Sequence, residues 1–281
     1  MQRTQQPAGR RRGSIRNAAA GLALIALAAA CSASAQAGAS DWVRGNLSQV
    51  RLITGNFDGT AWNAGVEIRL KGKAHTYWRN PGDGGVPPQF DFSKSKNIAG
   101  TKVLYPAPER SGSPPEEVIG YENAVVFPLR IAPAKKDAAI ELDLVLNYAA
   151  CEKICVPEFA KLKITLKPGH GDAAADSTIA RYRALTPKPL AAPDAPKLDI
   201  AAIENGKSWK VAVAGAQAGA ATDLFAESPE GWYFETRKQA AGAFVLTLVQ
   251  KPEAEKSAAM PEPFLTLTTR AGAYEGPVKL P

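Results

Sequence analysis

Residues that commonly carry enzyme chemistry are scarce in this sequence. Its 281 residues include only three cysteines, two histidines and two methionines. His75 stands in a strand-like run and His170 in a segment rich in glycine and proline, so neither has further ligands nearby in the sequence, and we predict no metal and no cofactor. After Pro196 there is neither cysteine nor histidine. We therefore expect that part of the chain to be structural or to bind a partner.

Long apolar runs are absent after the N-terminus. Five arginines precede an uncharged run from Ala18 to Ala30, and a small-residue cleavage pattern, Ala35-Gln36-Ala37, precedes Gly38. This pattern is typical of a cleavable signal peptide, because the run is shorter than the roughly 20 residues that span a bilayer. We predict a signal peptide over residues 1–37, export to the periplasm and a mature chain without a membrane span. A twin-arginine signal and a lipoprotein site at Cys31 are the alternatives, and both match only loosely.

A strong excess of positive charge is also absent once the signal peptide is removed. The chain has a formal net charge of +7, but five of its 34 basic residues lie in the first 37 positions, which leaves 29 basic against 27 acidic residues. Binding to nucleic acid depends on concentrated positive charge. We therefore expect no nucleic-acid partner.

Amphipathic helical periodicity is rare, whereas apolar and polar residues alternate in many short segments. The clearest two segments are residues 140–147 and 161–167, and shorter ones include residues 66–70 and 125–129. Such alternation indicates strands with one buried face, and the intervening stretches rich in proline and glycine indicate turns. The sequence therefore predicts an all-β protein built from antiparallel β-sandwiches.

A break in the alternation divides the mature chain. Glycines, prolines and alanines cluster between Lys167 and Pro196, and the alternation resumes after Pro196. We predict a first sandwich over residues 38–168 and a second, smaller sandwich over residues 196–281. The linker between them, residues 169–195, is predicted to hold a short helix from Ser177 to Leu185, capped by Asp176.

The two cysteines of the mature chain form a CxxxC motif between the two clearest strands. Because those strands are antiparallel neighbours, Cys151 and Cys155 are within reach of a disulfide, and the envelope is oxidising. The motif suits a structural disulfide, a redox-active disulfide, or a thiolate pair for Cu(I) or half of a zinc site. A loop of about five residues stabilises the fold by only about 2 kcal/mol, and an exposed short loop is open to attack, which favours exchange.

Five segments of the chain match one family in order. They are Thr76–Pro88, Phe90–Ser93, Tyr105–Pro108, Ile119–Tyr121 and Tyr148–Pro157. Together they resemble the periplasmic N-terminal domain of the thiol:disulfide interchange protein DsbD, especially its copper-sensitivity-suppressor (ScsB-like) relatives. The resemblance implies an immunoglobulin-like sandwich over about residues 50–168, in which Cys151 and Cys155 are the redox pair.

The resemblance also implies what surrounds the cysteines. In the family a cap loop covers the pair and nearby acidic residues influence its reactivity, and Glu116 and Glu117 fall in the corresponding stretch. This chain differs in its CxxxC spacing and in the aliphatic residues of its cap. Tyr121 and Tyr148 are expected to pack beside the disulfide.

The resemblance further implies partners. A membrane thiol reductase or a thioredoxin-like protein donates electrons, and oxidised envelope proteins accept them in a reaction of the protein-disulfide reductase type. The sequence has no later apolar span and no CxxC in a βαβ context, so the donor is expected to be a separate protein. The rival hypothesis is a non-catalytic periplasmic protein-binding module with a structural disulfide, linked to copper tolerance.

Overall fold

The computed structural model of the chain describes residues 38–82, 84–112, 117–169, 171–203, 206–240, 242–252 and 260–281. The predicted signal peptide, Glu116 of the predicted cap loop and His170 lie outside these residues. Contacts between residues place Gly38–Pro281 in a single structural unit.

Strands dominate the first part of this unit. They are β1 (Val43–Arg44), β2 (Ser48–Phe57), β3 (Trp62–Leu70), β4 (His75–Tyr77), β5 (Gln89–Asp91), β6 (Ile98–Val103), β7 (Glu109–Ser111), β8 (Val118–Glu122), β9 (Ala124–Pro133), β10 (Ile140–Cys151) and β11 (Cys155–Leu166). One sheet has the order β1-β2-β3-β9-β6, and the other has the order β11-β10-β4-β8-β7 with β5 also paired to β10. These pairings are antiparallel, which confirms the predicted immunoglobulin-like sandwich.

Alternating side chains build the core between these two sheets. On β10 the even-numbered residues from Ile140 to Leu146 are buried, whereas Glu141 is exposed. The opposite sheet contributes alternate apolar residues of β3 and β9, including Val66 and Phe127. Because successive side chains of a strand point to opposite faces, the alternation in the sequence fixes which face is buried.

A helix, α1 (Ala173–Ala184), covers the outer face of the first sheet. Its N-cap is Asp172, whose carboxylate accepts a hydrogen bond of 2.6 Å from a first-turn amide. The predicted cap at Asp176 is therefore wrong, since Asp176 lies in the first turn and binds the backbone and side chain of Asn56 instead. Ile179 packs on apolar side chains of β2 and β9. No helix among the described residues has the length and apolarity needed to cross a lipid bilayer.

The second part of the unit is a smaller sandwich. Its strands are β12 (Lys188–Pro189), β13 (Leu198–Ala202), β14 (Ser208–Val213), β15 (Ala221–Glu227), β16 (Tyr233–Ala240), β17 (Ala243–Gln250), β18 (Phe264–Thr269) and β19 (Gly272–Pro277), with a 3₁₀ helix over Gly215–Ala220. The two sheets have the orders β12-β19-β18-β15 and β13-β14-β17-β16. β12, which comes from the segment predicted as a linker, pairs with β19 in parallel. The second sandwich confirms the predicted fold class.

Contacts between the two sandwiches are both apolar and ionic. Phe225 of β15 is buried in the core cluster of the first sandwich, with its ring 5.8 Å from that of Trp78. Arg79, which follows Trp78, donates hydrogen bonds to Glu227 of β15 and to Glu275 of β19. Burial disfavours the charge of Arg79, but its hydrogen bonds to the two carboxylates outweigh burial and raise its pKa. These contacts fix the second sandwich beside the end of β4.

Candidate active site

The disulfide lies at the end of a long β-hairpin. β10 and β11 pair without interruption from Ile140 opposite Leu166 to Cys151 opposite Cys155. The two cysteines are joined by a disulfide, with their Cα atoms 4.0 Å apart. The three residues between them form the turn. The predicted position of the pair between two neighbouring strands is confirmed.

The two cysteines differ in exposure. Cys151 is only 2% exposed, whereas Cys155 is exposed, as is Ile154 in the turn. Sheet order explains the difference: β10 has β4 on its other side, while β11 is the edge strand of the sheet. The disulfide is therefore open to solvent on the side of Cys155.

Strand β4 brings Tyr77 to the sulfurs. The hydroxyl oxygen of Tyr77 lies 3.3 Å from the Sγ of Cys155 and 3.3 Å from the Sγ of Cys151. Because the sulfurs of a disulfide carry no proton, the hydroxyl is the donor. Burial raises the pKa of Tyr77, so the hydroxyl keeps its proton at neutral pH. The site therefore has a hydrogen-bond donor aimed at both sulfurs, which the sequence analysis missed.

His75 occupies the strand position opposite Cys151. β4 and β10 pair in antiparallel register at these two residues, and His75 also pairs with Glu122 of β8. The imidazole packs edge-on against the ring of Tyr77, with centroids 5.3 Å apart. Burial lowers the pKa of His75, and the charge of Glu122 partly opposes that shift. The imidazole is therefore neutral at pH 7.

The structure does not bring the two predicted tyrosines to the sulfurs. The Tyr148 hydroxyl lies 2.8 Å from the Ser48 hydroxyl, and the Tyr121 hydroxyl donates to the carbonyl oxygen of Pro106. Both rings belong to the core cluster of the first sandwich, and burial raises the pKa of Tyr148 to about 12. Tyr148 precedes Cys151 by three residues, an odd number, so strand alternation turns it to the opposite face. The expectation that these rings pack beside the disulfide is corrected accordingly.

Glu117 is close to the site, but its charge is paired. It accepts hydrogen bonds from Arg110 of β7 and from Arg237 of β16. Arg110 also donates to Asp223 and to the hydroxyl of Thr236. Glu117 thus joins the two sandwiches rather than presenting a free carboxylate to the sulfurs.

A cleft of about 970 Å³ lies beside the disulfide. One wall contains both cysteines, the turn between them, His75 and Tyr77. The other wall belongs to the second sandwich and contains Phe225 and residues 233–237 of β16. This second wall was not predicted, because the sequence of the second sandwich contains no cysteine or histidine that would indicate a reactive site. The part of the chain that the structure describes holds no group of three or more His, Cys, Asp or Glu side chains arranged to bind a metal ion.

Comparisons with known proteins agree with this fold. Residues 48–167 match the family model described as thiol:disulfide interchange protein DsbD, N-terminal. The fold is similar to the crystal structure of the N-terminal periplasmic domain of ScsB from Proteus mirabilis, with a TM-score of 0.67 and 16% identity, covering 86% of this chain and 98% of that one. No curated protein matches the sequence. The predicted resemblance is confirmed: residues 48–167 of this chain are similar to the N-terminal domain of DsbD.

Proposed function

We propose that this protein carries electrons from a membrane thiol reductase or thioredoxin-like donor to oxidised proteins of the bacterial envelope. The observation that supports this most directly is the asymmetric disulfide. Cys155 is exposed on an edge strand, Cys151 is buried behind it, and a hydroxyl contacts both sulfurs. A disulfide that serves only as a crosslink has no need of an open cleft or a hydrogen-bond donor.

The first step is attack by a donor thiolate on the sulfur of Cys155. The bond between the donor and Cys155 forms as the bond from Cys155 to Cys151 breaks, and Cys151 leaves as a thiolate. The Tyr77 hydroxyl is placed to donate a hydrogen bond to that thiolate. A second donor thiolate then attacks the donor's own sulfur in the mixed disulfide and releases Cys155. The donor ends as a disulfide, and two electrons and two protons have passed to this protein.

The second half reverses these steps on a client. The Cys155 thiolate attacks one sulfur of a client disulfide, so a mixed disulfide forms as the client's sulfur–sulfur bond breaks and its other sulfur leaves as a thiolate. The Cys151 thiolate then attacks the sulfur of Cys155, which restores the internal disulfide. The client leaves with two thiols, so the protein returns to its starting state.

The surroundings of Cys155 suit a protein partner. Ile154 and Phe159 are large apolar side chains that are 77% and 55% exposed on the same hairpin. Exposed apolar groups beside a reactive centre favour docking of another protein surface. We place the partner against this hairpin, with the β16 wall of the second sandwich limiting its approach.

Trapping of mixed disulfides tests the proposal. Cys151→Ser leaves the exposed Cys155 free, and we expect its thiolate to capture a thioredoxin-type donor whose single remaining cysteine is held as a mixed disulfide with thionitrobenzoate, which leaves as the bond to Cys155 forms. Cys155→Ser leaves only the buried Cys151, and we expect it to capture far less. Equal capture by both variants would contradict the assignment of Cys155 as the attacked sulfur. No capture by either would contradict electron transfer itself.

The rival hypothesis of a structural disulfide makes a different prediction. Structural disulfides of exported proteins have reduction potentials below about −300 mV, and exchanging ones lie higher. We expect a value above that limit for Cys151 and Cys155. A lower value would favour the rival hypothesis of a non-catalytic binding module linked to copper tolerance.

A further inference from the structure

We infer that His75 forms a hydrogen bond with the sulfur of Cys151 when the disulfide is reduced, and that this bond stabilises the dithiol form. The inference deepens the proposed function, and rests on it only in taking the disulfide as a bond that opens. It concerns a residue that the exchange steps above do not use.

The register of the sheet places the two side chains together. His75 is directly opposite Cys151 in the antiparallel pair of β4 and β10, so both side chains project from the same face. The Cβ atoms of such pairs are about 4.5–5.5 Å apart, which lets an imidazole reach a cysteine sulfur. Both residues line the cleft.

An unpaired imidazole nitrogen of His75 supports the proposed hydrogen bond. The Nε2 atom of His75 is buried and has no hydrogen-bond partner among the residues that the structure describes, in which the disulfide is closed. Buried polar atoms are nearly always paired, because burial removes their bond to water. A disulfide sulfur has no proton to give and accepts hydrogen bonds weakly. Reduction turns the sulfur of Cys151 into a thiol that can donate to Nε2, or into a thiolate that can accept from it.

The charge state of the imidazole fits this role. Three residues lie next to His75: Glu122 on β8, Tyr77 on the same strand and Cys151 on β10. Glu152 and Lys153 line the same cleft. A neutral imidazole can act either as donor or as acceptor, whichever the sulfur requires. The reduced form therefore gains a hydrogen bond that the oxidised form lacks.

The consequence is a measurable bias toward the dithiol. A new hydrogen bond shifts an equilibrium constant by about fivefold to tenfold. We expect His75→Phe to lower the equilibrium constant for reduction by glutathione by that factor, and a tenfold change is about 30 mV in a two-electron couple. His75→Gln, which keeps a side-chain amide in the same place, is expected to stay within about twofold of the unsubstituted protein.

The experiment is an equilibration of the mature protein and the two variants with glutathione, followed by alkylation and mass spectrometry of the free thiols. A lower constant for His75→Phe and a near-normal one for His75→Gln support the inference. An unchanged constant for His75→Phe would overturn it, and so would an equal loss in both variants, because that pattern indicates packing rather than hydrogen bonding.

A second measurement keeps His75 in place and does not depend on whether a His75 variant folds. The mature sequence has only two histidines, so a His170→Asn variant assigns the imidazole nitrogen signals in NMR spectra. We expect the Nε2 signal of His75 to move on reduction, and an identical signal in both forms would overturn the inference. Neither measurement needs a protein partner. Failure of donor transfer would therefore count against the proposed function and leave this inference standing.

Discussion

The hydroxyl of Tyr77 lies 3.3 Å from the sulfur of Cys155, although the two residues are 78 positions apart in the chain. The same hydroxyl is equally close to Cys151. A single phenol can therefore donate to whichever sulfur carries the negative charge during exchange. This contact links a short strand, β4, to the chemistry of a hairpin that is remote in the sequence but adjacent in the sheet.

Replacement of this phenol tests its contribution. We expect Tyr77→Phe to slow reduction of the disulfide by dithiothreitol by about fivefold to tenfold, since a hydrogen bond to the leaving thiolate is lost. The thiol pKa of Cys151 should rise for the same reason. Stopped-flow kinetics and thiolate absorbance measure the two effects, and unchanged values of both would contradict a role for the hydroxyl.

Tyr148→Phe is the matched control. It removes a buried hydroxyl that is bonded to Ser48 and faces the core, away from the sulfurs. We expect the free energy of unfolding to fall by about 1 kcal/mol, because a buried hydrogen bond is lost, while the rate of reduction stays the same. Urea denaturation and the dithiothreitol assay distinguish the two variants.

The exposed turn is predicted to matter for proteins and not for small thiols. Ile154→Asp places a charge on the surface where we expect the donor to dock. We therefore expect reduction of the variant's disulfide by a thioredoxin-type protein to slow severalfold. Reduction by dithiothreitol should change little. Val249→Asp, at a site that is 56% exposed and does not line the cleft, is the control and should leave both rates unchanged. Equal slowing with both reductants would refute docking at the turn.

Arg110 is predicted to contribute more to stability than an ordinary surface cation. Its guanidinium is mostly buried and pairs with Glu117 and Asp223 across the two sandwiches. We expect Arg110→Ala to lower the free energy of unfolding by about 2–3 kcal/mol, because Asp223 loses its ion pair and Glu117 keeps only the one with Arg237. Lys96→Ala removes an exposed ion pair and should change the free energy of unfolding far less. Similar losses in both variants would show that the interface does not depend on Arg110.

Asp58 is predicted to make stability depend on acid pH. The side-chain hydrogen bond from Arg130, then backbone and hydroxyl hydrogen bonds from Thr60 and Ala61, hold the pKa of its carboxyl well below the usual range. A depressed native pKa stabilises the folded state above the usual Asp pKa of about 3.9, and this contribution is lost as the pH falls toward the native value.

The test compares Asp58→Asn with the unsubstituted protein by urea denaturation across that range. We expect the variant to be less stable near neutral pH and the difference to shrink below about pH 3.9. Asp199→Asn, on the exposed face of β13, should show no such convergence. A constant difference at all pH values would refute the contribution of the ionised carboxyl.

The strands and the hairpin could be predicted because they are local properties of the sequence. Alternation over residues 140–166 specifies two neighbouring strands, and the cysteines fall at their junction. The residues around the sulfurs could not be found in the same way, because β4 is only three residues long and its neighbours are remote in the chain. Tyr148 shows the opposite case: its odd spacing from Cys151 was visible in the sequence and indicates that the two side chains face apart.

The second wall of the cleft was beyond sequence reasoning for another reason. Contacts between the sandwiches join residues more than 100 positions apart, such as Arg79 with Glu227 and Arg110 with Asp223. Neither pair follows a strand or helix period, so no local pattern marks it. The predicted N-cap at Asp176 was wrong because two aspartates four residues apart both suit a cap, and only the packing of α1 decides between them.

The uninterrupted pairing of β10 and β11 affects how fast the disulfide between Cys151 and Cys155 closes again. Its backbone hydrogen bonds do not involve the sulfurs, so the strand ends stay in register after the disulfide opens. The two thiols then remain neighbours at a very high effective concentration, and closure of the ring competes well with any outside thiol. Mixed disulfides with this protein should accordingly be short-lived. By holding the two thiols together, the hairpin speeds the transfer of their electrons to a client.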